Sequence, residues 1–179
     1  MDEIDGRRVV SIDEAGSTIA MTRTYGRGPR GERVRDSTPR NRGTVTTILA
    51  ALSCDGVETV MTIEGGTDRE VFRAFAEHFL APMLLPGDIV LMDNLAAHKD
   101  PVALSFIYNA GATVKFLPPY SPEFNPIELA WSKLKDLLRT AKARTVADLN
   151  DAIAWAADRI TPSDAQGWFR HCGLQIQTT

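Results

Sequence analysis

The sequence predicts an α/β fold: a mixed five-stranded sheet with helices on both faces. Three observations lead there. β-branched and apolar runs cluster early, at residues 9–13, 44–53 and 57–63. Two further short runs, at 89–92 and 114–117, alternate with segments of helical spacing. Three amphipathic segments then close the chain. The order is β-β-β-α-β-α-β-α-α-α, three antiparallel strands followed by two parallel ones.

Each element has its own warrant. Val9-Val10-Ser11-Ile12 is a short apolar run that ends in Asp13. Residues 17–25 alternate imperfectly and could add a strand. Asp55-Gly56, between two β-branched runs, is a two-residue hairpin signal. Thr67 with Glu70 three residues on reads as a capping box, followed by Val71, Phe72, Phe75, Phe79 and Leu80 at helical spacing. Pro82 ends that helix. Pro86-Gly87-Asp88 is a turn into Ile89-Val90-Leu91-Met92, a strand buried on both faces that ends in Asp93. Asp100-Pro101 opens a helix and Gly111 closes it. Pro118-Pro119-Tyr120-Ser121-Pro122 is a stiff extended loop, because each residue before a proline is pushed out of the α region. Asn125-Pro126-Ile127-Glu128 starts a helix with Ile127, Trp131, Leu134 and Leu138 on one face. Thr145 caps the next, with Val146, Leu149, Ile153 and Ala157 inward. Thr161-Pro162 begins the last, carrying Trp168 and Phe169.

The 179 residues suffice for one domain with a substantial core. No apolar run is long enough to span a bilayer, and the acidic N-terminus is not a signal peptide. Cys54 and Cys172 lie in unrelated contexts and are read as free thiols in a reducing cytoplasm. The formal net charge is −3. Residues 23–42 nevertheless hold seven arginines against Glu32 and Asp36, a local +5 that leaves −8 elsewhere. An acidic protein can still present a basic surface to phosphates. Residues 23–43 are read as a long Arg-rich loop, a length that in a compact domain is usually functional or disordered.

Asp13 and Asp93 both end predicted strands, and ligands of open α/β sheets sit just beyond strand carboxyl ends. Glu128 lies in the first turn of a long helix. Three carboxylates in one place repel, and divalent cations reverse that cost. The pattern points to a two-metal phosphoryl-transfer site. Each acid also has a plainer reading. Asp13 and Asp93 could be solvated or capping turn residues. Glu128, at the third helical position after Asn125 and Pro126, suits a capping box and the helix dipole. Catalysis and capping are compatible if that helix start faces the metals.

Four motifs together resemble the catalytic domain of IS630-type insertion-sequence transposases, in the Tc1/mariner group of DDE enzymes. They are Ile12-Asp13-Glu14; Met21-Thr22-Arg23 with residues 25–33; Met92-Asp93-Asn94 with His98-Lys99; and Leu117-Pro118-Pro119-Tyr120-Ser121-Pro122 with Asn125-Pro126-Ile127-Glu128. The resemblance runs from about residue 9 to about residue 173. It implies a ribonuclease-H-like fold, with Asp13, Asp93 and Glu128 as catalytic and metal-ligating residues. Two Mg²⁺ ions would bind there, with Mn²⁺ as a substitute; Asp13 would bridge them, Asp93 completing one shell and Glu128 the other. The implied activity is DNA cutting at transposon ends and joining to a target.

Partners implied are double-stranded DNA, both transposon ends and target, and a second copy in a homodimer, in the bacterial cytoplasm with no membrane. Arg23, Arg27, Arg30, Arg33, Arg35 and Lys99 are candidate DNA contacts. Asn94, His98 and Asn125 are candidate supports behind the carboxylates. Relatives carry N-terminal helix-turn-helix modules, and this sequence begins almost at the first catalytic strand. The expectation is therefore a single catalytic domain over residues 1–179, from a split gene, a degenerate copy or an isolated domain; a separate helix-turn-helix polypeptide is one candidate partner for DNA recognition. Two other functions fit the same residues: a hydrolysis-only nuclease, and a non-catalytic DNA-holding module of a decayed element.

Overall fold

The computed structural model describes residues 5–176. Strands β1 (Val9–Ser17), β2 (Thr46–Ser53) and β3 (Gly56–Glu64) come first, then α1 (Arg69–Phe75), β4 (Ile89–Met92), α2 (Pro101–Asn109) and β5 (Thr113–Phe116). Helices α3 (Pro126–Ala141), α4 (Val146–Ala157) and α5 (Pro162–His171) follow. The sheet order is β3-β2-β1-β4-β5. β1 is central, antiparallel to β2 and parallel to β4. This is the ribonuclease-H-like mixed sheet, and its element order matches the one read from the sequence.

Strand alternation splits the core into two layers. Val9 and Ala15 of β1, with Ile48, Ala50 and Leu52 of β2, pack against Ile127, Leu134, Leu138, Ile153 and Phe169 of the C-terminal helices. Val10, Ile12, Leu49, Val90 and Met92 face Phe72, Phe75, Leu80 and Ile107 on the other side. Among the described residues no helix is long and apolar enough to cross a membrane. Cys54 and Cys172 are free thiols.

Local details differ from the sequence reading. β1 does not stop at Asp13 but runs to Ser17, because residues 11–17 keep pairing with β2. Residues 18–25 form no strand. There Arg144 Nη1 donates to the carbonyls of Ile19 and Met21 at 2.9 and 3.0 Å, a side chain taking the place of a ladder partner. The hairpin turn is Cys54-Asp55; Gly56, at φ 127°, already pairs with Ser53. Asp68, not Thr67, caps α1, accepting from the Val71 N–H at 2.9 Å, while Glu70 pairs with Arg73. The chain after α1 widens into a π-helical turn at Ala76–Leu80 and then tightens into a 3₁₀ turn at Ala81–Met83, which holds Pro82. β5 starts one residue early, at Thr113.

The caps of α2, α4 and α5 are those expected. Asp100, Thr145 and Thr161 accept from Ala103, Asp148 and Asp164 amides at 3.0, 3.1 and 3.3 Å. Residues 23–43 carry neither helix nor strand and are largely exposed. Asp36 anchors that loop to the end of α3 through Lys142.

Candidate active site

The parallel register of β1 and β4 decides where the two aspartates stand. Val9, Val10 and Ser11 pair with Ile89, Val90 and Leu91. Two residues beyond the last pair, Asp13 still lies within β1 while Asp93 is the first residue after β4, so both stand toward the same end of the two strands. Asp13 shares parity with Val9 and Ala15, so it points toward α3. There the Trp131 indole N–H donates to Asp13 Oδ2 at 2.9 Å.

Glu128 enters from the first turn of α3. The expected capping box is absent, and this corrects the sequence reading of Asn125. Its side chain makes no cap; Asn125 Oδ1 accepts from the Ser11 hydroxyl. Ser11 and Asn125 are both buried, and a buried hydroxyl needs an acceptor. The bond fastens the start of α3 to the central strand. Backbone closure remains, with the Glu128 N–H donating to the Asn125 carbonyl at 3.1 Å. Glu128 is thereby left exposed, its carboxylate not spent on the helix end.

Asp13, Asp93 and Glu128 line one cavity of about 400 Å³, together with Asn94, Asn125 and residues 117–122. They surround it and do not meet at a point. Among the described residues, no three His, Cys, Asp or Glu side chains form a cluster that could hold an ion. Tyr120 stands fully exposed at the rim in the left-handed region, at φ 56°. Asn94 Nδ2 donates to the Leu117 carbonyl, tying the end of β4 to the start of the proline loop.

The electrostatics are those of crowded acids. Burial, above all, pushes the Asp13 carboxyl up to about 7, and the charges of Glu128 and Glu14 add to it. Hydrogen bonds from Trp131 and the Glu14 backbone work the other way without cancelling it. Asp93 is held below the usual carboxylate range, chiefly by its bond to His98. Asp93 Oδ1 faces His98 Nδ1 at 2.6 Å and also accepts from the Leu95 N–H at 2.9 Å. The far nitrogen of His98, Nε2, faces Glu14 Oε2 at 3.1 Å. Burial pulls the His98 pKa down, but its two carboxylate partners outweigh that and push it up to about 9.

Other candidates stay away from the cavity. Lys99 is exposed, with Nζ 5.7 Å from the Phe116 ring centre. Arg23, Arg27, Arg30, Arg33 and Arg35 are exposed on the loop. Of these, Arg23 borders a surface groove with Tyr25, Asp136 and Arg139 on the flank of α3. Sequence reasoning assigned no site role to Glu14 or Trp131. Trp131 had an available signal: three residues after Glu128, it shares that helix face.

A family model for DDE superfamily endonucleases matches residues 8–150, most of the chain. The chain belongs to that superfamily. Its fold is also that of solved mariner transposases. The Mos1 strand transfer complex superposes with a TM-score of 0.69 at 14% identity, covering 93% of this chain and 52% of the other. The Mos1 mariner paired-end complex with Mn gives 0.69 at 13% identity, with the same coverage. The Mos1 catalytic domain with raltegravir and Mg gives 0.67 at 11% identity, covering 93% and 78%. This DDE-superfamily chain spans about half the length of the first two. No curated protein sequence matches it.

Proposed function

We propose that this chain is the catalytic domain of an IS630-type insertion-sequence transposase of the Tc1/mariner group. It would cut DNA at transposon ends and join them to a target. One observation carries the proposal: two aspartates from neighbouring central strands and a glutamate from α3 line the same cavity. Membership of an endonuclease superfamily and the fold shared with the Mos1 complexes support it.

The donor set suits hard divalent cations. All three candidate ligands are carboxylates, and the repulsion that helps hold Asp13 near 7 is what a cation relieves. Asp13 would serve two ions, Asp93 one and Glu128 the other. Each ion then has two protein carboxylates, which Mg²⁺ accepts with waters completing the shell. That division is compatible with three acids spread around a cavity. When bound, such ions would activate the attacking oxygen and stabilise the leaving oxygen of an in-line displacement at phosphorus. The protein's part is to hold the carboxylates. Trp131 orients Asp13, the Ser11–Asn125 bond fixes where α3 begins, and the Asn94–Leu117 bond sets the proline loop beside the cavity.

Joining of pre-cut ends into plasmid DNA, with Mn²⁺, tests the proposal. Glu128→Ala should lower the rate by about 10³-fold or more, the loss of several kcal/mol of transition-state stabilisation. Nicking without joining would restrict the chain to hydrolysis, and a Glu128→Ala protein as active as wild type would end the proposal.

Double-stranded DNA and a second copy of the chain are the proposed partners, in keeping with the Mos1 paired-end complexes. The exposed Arg-rich loop would neutralise DNA phosphates. Replacing Arg27, Arg30 and Arg33 together with alanine should weaken DNA binding and reduce the slope of log affinity against log salt by about 3. An unchanged slope in a filter-binding series from 50 to 200 mM salt would remove the loop from the interface.

A further inference from the structure

Glu14 follows Asp13 directly, so strand alternation sends it to the opposite face of β1. Its parity is that of Val10 and Ile12, which face α1 and α2. There Glu14 Oε2 lies 3.1 Å from His98 Nε2. His98 is 1% exposed, its ring packed against Phe72 with centres 4.6 Å apart. Its other nitrogen faces Asp93 Oδ1 at 2.6 Å. Three side chains thus form one line, from the back of the central strand to the cavity on its front.

We propose that Glu14 is a positioning residue that, through His98, fixes the Asp93 carboxylate for a divalent cation. This rests on the preceding reading of Asp93 as an ion ligand. Three features of the line support it. First, Asp93 Oδ1 is already engaged by His98 and by the Leu95 N–H. Oδ2 has no hydrogen-bond partner among the described residues, so one defined oxygen remains for the cavity. Second, a carboxylate half exposed at a strand end has rotamer freedom, whereas a buried imidazole has little. Glu14 holds the far side of that ring, so the ring cannot turn without breaking a bond. Third, the line crosses from β1 to the segment after β4, so it braces the residues that carry Asp93 against the strand that carries Asp13. A carboxylate behind an imidazole orients metal ligands generally, and removing such a partner typically weakens metal binding by 10–100-fold. Here the imidazole holds the ligand without being one.

Mn²⁺ titration, read by calorimetry and by electron paramagnetic resonance of bound Mn²⁺, tests this on wild type, Glu14→Ala, Glu14→Gln and Asp93→Ala. Thermal unfolding of each variant accompanies it. Glu14→Ala should weaken binding of one ion by about tenfold or more. Glu14→Gln keeps an acceptor for His98 Nε2 and should recover part of the loss. In DNA joining, Glu14→Ala should need more Mn²⁺ for half-maximal rate yet approach the wild-type rate at saturation, a split that loss of folded protein would not produce. If Glu14→Ala does not fold, the less disruptive Glu14→Gln carries the comparison, with an expected smaller loss in affinity. The proposal is overturned if Glu14 variants bind Mn²⁺ like wild type while Asp93→Ala does not. It is equally overturned if their lost activity is not restored by raised Mn²⁺. Wild-type Mn²⁺ binding by Asp93→Ala would instead sink the underlying reading of Asp93.

Discussion

Asp13→Asn is expected to make the ion-free protein more stable at pH 8 while removing the proposed DNA cleavage and joining. The reason lies in the position of this carboxyl at the centre of the sheet. Burial first, and the charges of Glu128 and Glu14 after it, raise it from the ordinary 3.8 to about 7. A carboxyl raised on folding costs stability when it ionises. The cost is absent below about pH 4, grows as pH rises toward 7, and is constant above. At about 1.4 kcal/mol per pKa step, the shift corresponds to at most about 4 kcal/mol, and to about 1–3 kcal/mol after allowance for solvent screening. Asparagine cannot ionise, so the variant avoids that cost, and its amide oxygen can still accept from Trp131. The proposed activity should fall by about 10³-fold or more, since a neutral amide could not replace the carboxylate proposed to serve two ions. Urea unfolding at pH 4 and pH 8 measures the first effect. The two proteins should nearly converge at pH 4, and a variant less stable than wild type at pH 8 would refute the burial argument. Adding Mg²⁺ should close most or all of the gap at pH 8, because the proposed binding favours wild type by about 2.7 kcal/mol at one hundred times its dissociation constant.

The sequence carried the features that repeat along it. Apolar runs and their spacing gave all five strands and the helix order, and Asp100, Thr145 and Thr161 announced their own helices. The stiff run before Asn125 and the strand-end position of Asp93 placed two of the three cavity acids. Pairings between distant residues left no such trace. Ser11 takes the Asn125 side chain across 114 positions, and Trp131 reaches Asp13 across 118. Nothing near Asn125 says that its side-chain oxygen is claimed by a buried hydroxyl, so the local rule for helix starts assigned it to the wrong donor. Glu14 was hidden for the opposite reason. It adjoins a recognisable aspartate, yet its role depends on the face it is turned to and on a histidine that folding brings from 84 positions away.

His98→Ala should destabilise the protein by about 1–3 kcal/mol, less than for a fully buried pair, because the Glu14 and Asp93 carboxylates left behind are partly exposed. Both ring nitrogens face carboxylate oxygens, and the side chain is 1% exposed. Removing it strands Glu14 and Asp93 and opens a void beside Phe72. The pH dependence gives a sharper signature. Burial draws the His98 pKa down, but Asp93 and Glu14 prevail and raise it from 6.5 to about 9. A base raised on folding contributes stability that is whole below about pH 6.5 and is lost as pH climbs through 9. The contribution is about 3 kcal/mol as an upper figure. The lowered pKa of Asp93 records the same bond and is not added to it. Asp13 also makes stability fall with pH, but in the lower window from about 4 to 7. The Asp13→Asn background therefore isolates the histidine. In that background, unfolding free energy should stay level from pH 5 to 6.5 and then decline to pH 9.5. The double variant with His98→Ala should start lower and show no such decline. A decline of equal size in both would mean that another group titrates there, and that the imidazole does not carry its charge between the two carboxylates.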